Sequence, residues 1–342
     1  MTAASPSDSE AAILEPAGPP ARVPRRGEAL ARFLVRRLAQ AVLVVWLAFT
    51  VAFLLLNVLP GDAALARLGG GSEGAATQIS DEQLRSLRHR LGLDVPVLEQ
   101  YADQLAGIVT FDLGTSAQTG QAVTQVLGDA MPDTLALAAA AFAVAVVAGG
   151  LLGALAAFTR RRALRAALLS VGAVGMAVPT FWVGLALISL LSFTWPVFPA
   201  GGSGGVDALV LPALTLAVVP TAMIMQVFSE SLIAALGEPY ATTAVMKGAG
   251  RLRVLVRHGV RNALVPVVTL AGVIAGYLLA GSVVVETVFS RPGIGTVLVG
   301  AVEAADLPVI SGLVLFVAAV FVAVNLVVDL VCPIIDPRLR SA

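Results

Sequence analysis

The stretch LAQAVLVVWLAFTVAFLLLNVL, from Leu38 to Leu59, carries no charged residue over 22 positions. A helix rises 1.5 Å per residue, so about 20 apolar residues cross a hydrocarbon core, where no water can satisfy an exposed backbone. Five further charge-free runs follow, at 134–159, 166–206, 208–229, 262–285 and 307–328. The run at 166–206 is too long for one crossing. Its second part, Trp195-Pro-Val-Phe-Pro-Ala-Gly-Gly-Ser-Gly-Gly205, is turn chemistry, which predicts a helix end near Phe193 and a separate fourth helix at 208–229. Six spans are predicted, with both termini on one side of an all-α polytopic membrane protein.

Composition agrees. Of 342 residues, 58% are hydrophobic and 13% charged, whereas an average soluble domain is about 25% charged. That excludes an ordinary soluble enzyme. The 22 Lys+Arg equal the 22 Asp+Glu, which argues against a nucleic-acid partner. A single cysteine, Cys332, excludes a disulfide framework.

Orientation follows from the basic residues, which resist translocation. With the N-terminus inside, Arg22, Arg25, Arg26, Arg32, Arg36, Arg37, Arg160, Arg161, Arg162, Arg165, Lys247, Arg251, Arg253, Arg257, Arg261, Arg338 and Arg340 all face the cytoplasm. They are 17 of the 22. The outer segments keep Arg67, Arg85, Arg88, Arg90 and Arg291 and concentrate the acids. The topology is N-in, C-in.

Three segments lie outside the spans. Residues 1–33 are expected to be a disordered cytoplasmic tail, rich in Pro, Ala and Ser; the apolar run after it is too long for the core of a cleaved signal peptide. An outer helical subdomain is expected at 60–132, within a six-span domain at 34–340. There Ser80-Asp-Glu-Gln83 has capping-box spacing, and Asp94-Val-Pro96 opens a helix with Val97, Tyr101 and Leu105 on one stripe. It is either a lid on the bundle or a docking surface. A cytoplasmic loop spans 237–261. Glu238-Pro239 starts a helix that Gly248-Ala-Gly250 ends. On the helix after it, Arg253, Arg257 and Arg261 share one face, and Leu252, Leu255, Val256 and Leu264 share another. This loop either transmits force to a soluble partner or lies on anionic lipid.

Tyr240-Ala-Thr-Thr-Ala-Val-Met-Lys-Gly248, followed by His258-Gly-Val-Arg-Asn-Ala-Leu-Val-Pro266, resembles the cytoplasmic coupling motif of ATP-binding-cassette (ABC) importer permeases. The step from Gly248 to Pro266 is similar to the oligopeptide, dipeptide and nickel branch. Other matching pieces occur in order. They are Pro60-Gly-Asp62, Leu91-Gly-Leu-Asp-Val-Pro96 with Gln100-Tyr101, Asp112-Leu-Gly-Thr-Ser116, Pro179-Thr-Phe-Trp182, Glu286-Thr-Val-Phe289 with Pro292-Gly-Ile-Gly295, Asp306-Leu-Pro308 and Asp336-Pro-Arg-Leu-Arg340. The long outer loop after the first span resembles the first of the two permeases in such systems.

The resemblance implies a type I importer permease fold in a bacterial cytoplasmic (inner) membrane. It also implies a second homologous six-span permease, two ABC ATPase subunits that bind ATP and Mg, and an extracytoplasmic substrate-binding protein. Membrane lipid surrounds the complex. Di- or oligopeptides are the implied cargo. Glu238, Tyr240, Thr242, Thr243, Ala244, Lys247, Gly248 and Arg257 would form the ATPase-coupling surface. The chain departs from the family at Thr242-Thr-Ala244 and Val245, and at Gln226 and Ser229, where arginines are usual.

No catalytic residue and no cofactor is expected in this chain, which has no Gly-rich phosphate loop ending in Gly-Lys-Ser/Thr. A paired histidine metal site is excluded, since His89 and His258 fall on opposite sides of the membrane. Glu230, Glu286 and Asp329 sit at span ends, where carboxylates can reach water. Gly149, Gly150, Gly153, Gly272 and Gly276 are expected to pack helices closely. Candidate pathway residues are Phe181, Trp182, Met223, Gln226 and Tyr277. The alternative function, a secondary transporter driven by an ion gradient, would need ionisable residues at mid-span, and the span centres carry none.

Overall fold

The computed structural model describes residues 26–58 and 96–335. The 1–25 tail, Pro60-Gly-Asp62, the helix expected after Ser80, the Leu91–Asp94 stretch and the terminal Asp336–Arg340 motif lie outside the described residues. The chain divides into two compact units, Met1–Val42 and Leu43–Ala342. In the first, the described residues 26–42 are helical, so 26–33 are helix rather than tail.

The described elements are helices: α1 (Arg26–Val58), α2 (Val97–Thr110), α3 (Val123–Phe158), α4 (Arg162–Ala177), α5 (Thr180–Ile188), α6 (Asp207–Gly237), α7 (Pro239–Met246), α8 (Arg251–Val254), α9 (Val260–Val288), α10 (Ile294–Glu303) and α11 (Leu307–Ile335). Helices α1, α3, α6, α9 and α11 are each long and apolar enough to cross a membrane. Helix α3 begins 11 residues before the charge-free run and carries Asp129, Pro132 and Asp133 within it. Residues 123–132, expected in the outer subdomain, therefore belong to a span.

The stretch expected as the third span is a helix pair sharply bent at a short break. Helices α4 and α5 meet at 100° across Val178-Pro179. The ring of a proline drives the preceding residue out of the helical region, and Val178 is extended, with φ −80° and ψ 129°. Pro179 then opens α5. A π-helical stretch, Ser189–Thr194, carries α5 to its end, one residue past Phe193.

Helix α6 is the central post. Buried residues make up 61% of its most apolar window, against 17–28% for the four other single-helix spans. Leu137, Ala141 and Ala145 of α3 pack on Leu211, Leu216 and Ile224 of α6, with Ile274 and Leu278 of α9 closing the cluster. An outer cluster joins Val123 and Leu127 to Ile294 of α10 and Leu313 of α11. An inner one joins Ala157, Phe228, Leu232, Leu255 and Ala263. Glycines set the close approaches: Gly149 and Gly153 face α6, whereas Gly272 and Gly276 face Asn325 and Phe321 of α11.

Helix α2 packs on the part of α1 around Phe49, Thr50 and Phe53. Tyr101 stacks edge-on against Phe53, with ring centroids 5.2 Å apart, and its hydroxyl shares a 2.9 Å hydrogen bond with Thr50. Tyr101, Leu105 and Ile108 form the inward stripe. Val97, expected on that stripe, is exposed.

Candidate functional site

Helices α2, α7, α9 and α10 all end in the same hydrogen-bonded turn, in which a left-handed residue lets its own amide and the next one fold back on the last carbonyls. The left-handed residues are Phe111, Gly248, Ser290 and Ala305. The amides that follow them, of Asp112, Ala249, Arg291 and Asp306, donate to the carbonyls of Gly107, Ala244, Glu286 and Ala301. Asp112, Arg291 and Asp306 are thus charged residues held just past a helix end.

At the outer end those charges are used. The Ser116 hydroxyl donates to Asp306 Oδ2 at 2.6 Å, and the Ala117 amide donates to Oδ1 at 3.2 Å. This ties the loop before α3 to the start of α11. Arg291 pairs with Asp133 of α3 at 2.9 Å and donates to the carbonyls of Gly202 and Ala208. The Gly202 amide returns a bond to the Phe289 carbonyl at 3.0 Å.

Glu286 is fully buried beneath them, so the expectation that it reaches water is corrected. Its carboxylate accepts from the Thr134 hydroxyl at 2.7 Å and from the Gly295 amide at 2.6 Å. Thr134 in turn accepts from the Ile294 amide at 2.8 Å. A buried carboxylate is tolerable only when donors replace its water, and here the first amides of α10 supply them. Gly293 and Gly295 leave the space, since a Cβ at either would strike the Glu286 carboxylate. The ends of α3, α6, α9 and α10 are thereby joined in one polar frame.

At the inner end, α7 starts with Pro239 in its first turn and stops at Lys247 and the left-handed Gly248, with φ +84°. Ala241 is buried and anchors it. Asn262 of α9 donates to the Tyr240 hydroxyl at 2.8 Å. Glu238, Thr242, Thr243, Val245, Met246, Lys247 and Arg257 are exposed, and Ala244 is half-buried. Met246 is 84% exposed. The helix after it runs into span five through a π-helical turn at Leu255–Gly259. That turn shifts the apolar face, so Val254 and Leu255 are buried, whereas Leu252 and Val256, expected beside Leu255, are exposed.

Among the pathway candidates, Tyr277 of α9 reaches the first turn of α5, its hydroxyl 3.0 Å from that of Thr180. Phe181 and Trp182 follow there, 48% and 59% exposed. Met223 is half-buried on α6, and Gln226 is exposed one turn further in, 3.5 Å from Glu230. Ser229 is buried and bonds its own helix. No described contact brings Met223 or Gln226 to the α5 group. A separate cavity of about 310 Å³ opens on the outer side, lined by Phe49, Asp103, Ile108, Asp112 and Leu315 among others. Among the described residues no cluster of His, Cys, Asp and Glu could hold a metal.

Sequence reasoning misses Thr134, Asp133 and Arg291 as functional positions. The only signal is their adjacency to a span start and to a Pro-Gly-Ile-Gly turn.

Long apolar helices braced at one end, with a short exposed helix at the other, define a multi-pass helical membrane protein. Residues 149–341 match the family model for the binding-protein-dependent transport system inner membrane component, and residues 30–138 match the N-terminal model of such membrane components. The chain belongs to this family: it is an ABC permease subunit of the inner membrane. It is 36% identical to a putative peptide transport system permease protein of Brucella abortus, over 90% of this chain and 98% of that one. It is 33% identical, with the same coverage, to the dipeptide and glutathione transport system permease proteins of Escherichia coli. Membership removes the gradient-driven alternative.

Proposed function

We propose that the chain forms half of a translocation pathway for di- or oligopeptides. It pairs with a second homologous permease, receives cargo from an extracytoplasmic binding protein, and is driven by two ABC ATPases that bind ATP and Mg. Relatives that carry peptides, dipeptides or glutathione support the cargo class.

The single observation that carries the coupling role is α7. It is anchored through Ala241 and Asn262, yet presents Thr242, Val245 and Met246 outward with Lys247 at its end. This surface, from Glu238 to Gly248, seats in a groove of one ATPase, with Arg257 at its edge. ATP favours the outward-open state by binding it better, since a ligand shifts an equilibrium only by its differential affinity. Phe181, Trp182 and Tyr277, with Met223 and Gln226 further in, line the route.

Replacing Gly248 by valine forces a β-branched residue into a left-handed conformation, and Met246→Glu places a charge on the most exposed apolar side chain of the contact. Each is expected to lower ATPase co-purification about tenfold, a loss of ~1.4 kcal/mol, with the chain still inserted. Undiminished ATPase stoichiometry with full peptide uptake would overturn the assignment.

A further inference from the structure

The turn between α3 and α4 and the first residues of α4 carry four arginines in six residues, Arg160, Arg161, Arg162 and Arg165. Arg165 is spent on the fold. Its Nε donates to the Ala156 carbonyl at 3.1 Å and its Nη2 to the Thr159 carbonyl at 3.0 Å, closing the last turn of α3. The other three are exposed, and among the described residues none of their guanidinium groups has a hydrogen-bond or ion-pair partner. Helix α4 offers no acid in its first turn to neutralise them.

Their level in the membrane follows from the packing of α3 on α6. Gly149 meets Thr221 and Ile224, Gly153 meets Met225 and Phe228, and Ala157 shares a cluster with Phe228 and Leu232. The two helices run parallel in this register, so Arg160 lies level with about Leu232–Ala235. Helix α6 continues to Gly237 before α7 begins. At 1.5 Å per residue, α7 therefore stands about 5–8 Å further into the cytoplasm than the arginine loop. On the membrane side of the loop, α3 presents Val147, Leu151 and Leu155, four residues apart and 61%, 68% and 48% exposed. Three such cations immediately beyond an exposed apolar stripe, and short of the coupling helix, are at the level where an apolar span would meet the anionic surface of the inner leaflet.

We propose that Arg160, Arg161 and Arg162 hold the headgroup phosphate of an anionic phospholipid whose acyl chain lies along Val147, Leu151 and Leu155. Arg165 positions the loop without contacting the lipid. The loop is thus a lipid site, distinct from the ATPase-facing surface of α7.

The test uses the full chain, delipidated in detergent and titrated with phosphatidylglycerol or phosphatidylcholine of equal chain length, with bound lipid counted by native mass spectrometry. The wild type is expected to prefer phosphatidylglycerol by on the order of tenfold. The triple variant R160Q/R161Q/R162Q loses the preference. R160K/R161K/R162K keeps it, because the charge remains, and R253Q/R257Q keeps it, because those arginines belong to the α7–α9 loop. Any of four results would overturn the proposal: preference retained by the glutamine variant, preference lost by the lysine variant, equal loss in R253Q/R257Q, or displacement of the lipid by millimolar inorganic phosphate. Loss of ATPase co-purification by the glutamine variant, with its lipid preference intact, would reassign the loop to protein contact.

Discussion

Gly149→Leu is expected to abolish the native packing of the bundle, while leucine at the adjacent Gly150 leaves it intact. A Cβ at Gly149 would lie 2.7 Å from the Thr221 carbonyl oxygen and 2.9 Å from the Ile224 Cβ, both on α6. Neither can rotate away, because one is backbone and the other is held by it. The helices must then separate, and α3 comes away from the central post. Overpacking a well-filled site costs about 1–3 kcal/mol, and a branched side chain against backbone sits at the upper end. In a membrane no hydrophobic force pulls the helices back together, so close packing itself carries the association. Gly150, by contrast, has nothing within 4 Å of its Cβ position. Size-exclusion profiles and thermal midpoints of the two detergent-purified variants check this. A monodisperse Gly149→Leu chain with an unchanged midpoint would show that the α3–α6 crossing is not the core.

The second large effect is expected from Glu286→Ala. The substitution removes the acceptor for the Gly295 amide and the Thr134 hydroxyl, both deep in protein. A buried donor left unsatisfied costs about 1–3 kcal/mol, and here two are orphaned along with a cavity the size of the carboxylate. A loss of about 3 kcal/mol lowers the melting midpoint of a chain this size by roughly 4 °C. Glu286→Gln keeps the volume and one acceptor oxygen, so it should lose only about 1 kcal/mol. The order alanine, then glutamine, then wild type is the signature of a hydrogen-bonding role. Equal losses in the two variants would point instead to charge pairing with Arg291. Because the frame joins four helices at the outer end, Glu286→Ala should also lower peptide uptake while leaving ATPase co-purification unchanged.

The physics of the membrane makes the spans readable. Each backbone group in hydrocarbon must bond within its own helix, so the length and apolarity of 38–59 or 307–328 suffice to mark a crossing. The start of α7 at Glu238-Pro239 and its stop at Gly248 are likewise legible, because proline in the first turn and glycine just past the end act locally. Pro179 is legible as a proline within an apolar run, but its consequence is not. Whether a proline bends a helix or breaks it through 100° depends on what the two arms pack against, here the α6 positions facing Gly172 and Gly175.

The outer frame cannot be read from the chain. Asp133, Thr134, Glu286, Arg291 and Gly295 are spread over more than 160 positions, and each alone is an ordinary residue near a span end. In the sequence Glu286 is a carboxylate near water, and in the fold it is the acceptor that holds α10 in place. The sequence by itself determined which stretches are long and apolar enough to cross a membrane and where the short helix α7 begins and ends, because those depend on solvation and on local backbone geometry. Only the tertiary structure decided which charges are paired and which are left for a lipid or a partner. Pairing depends on distance between residues that the chain itself keeps far apart.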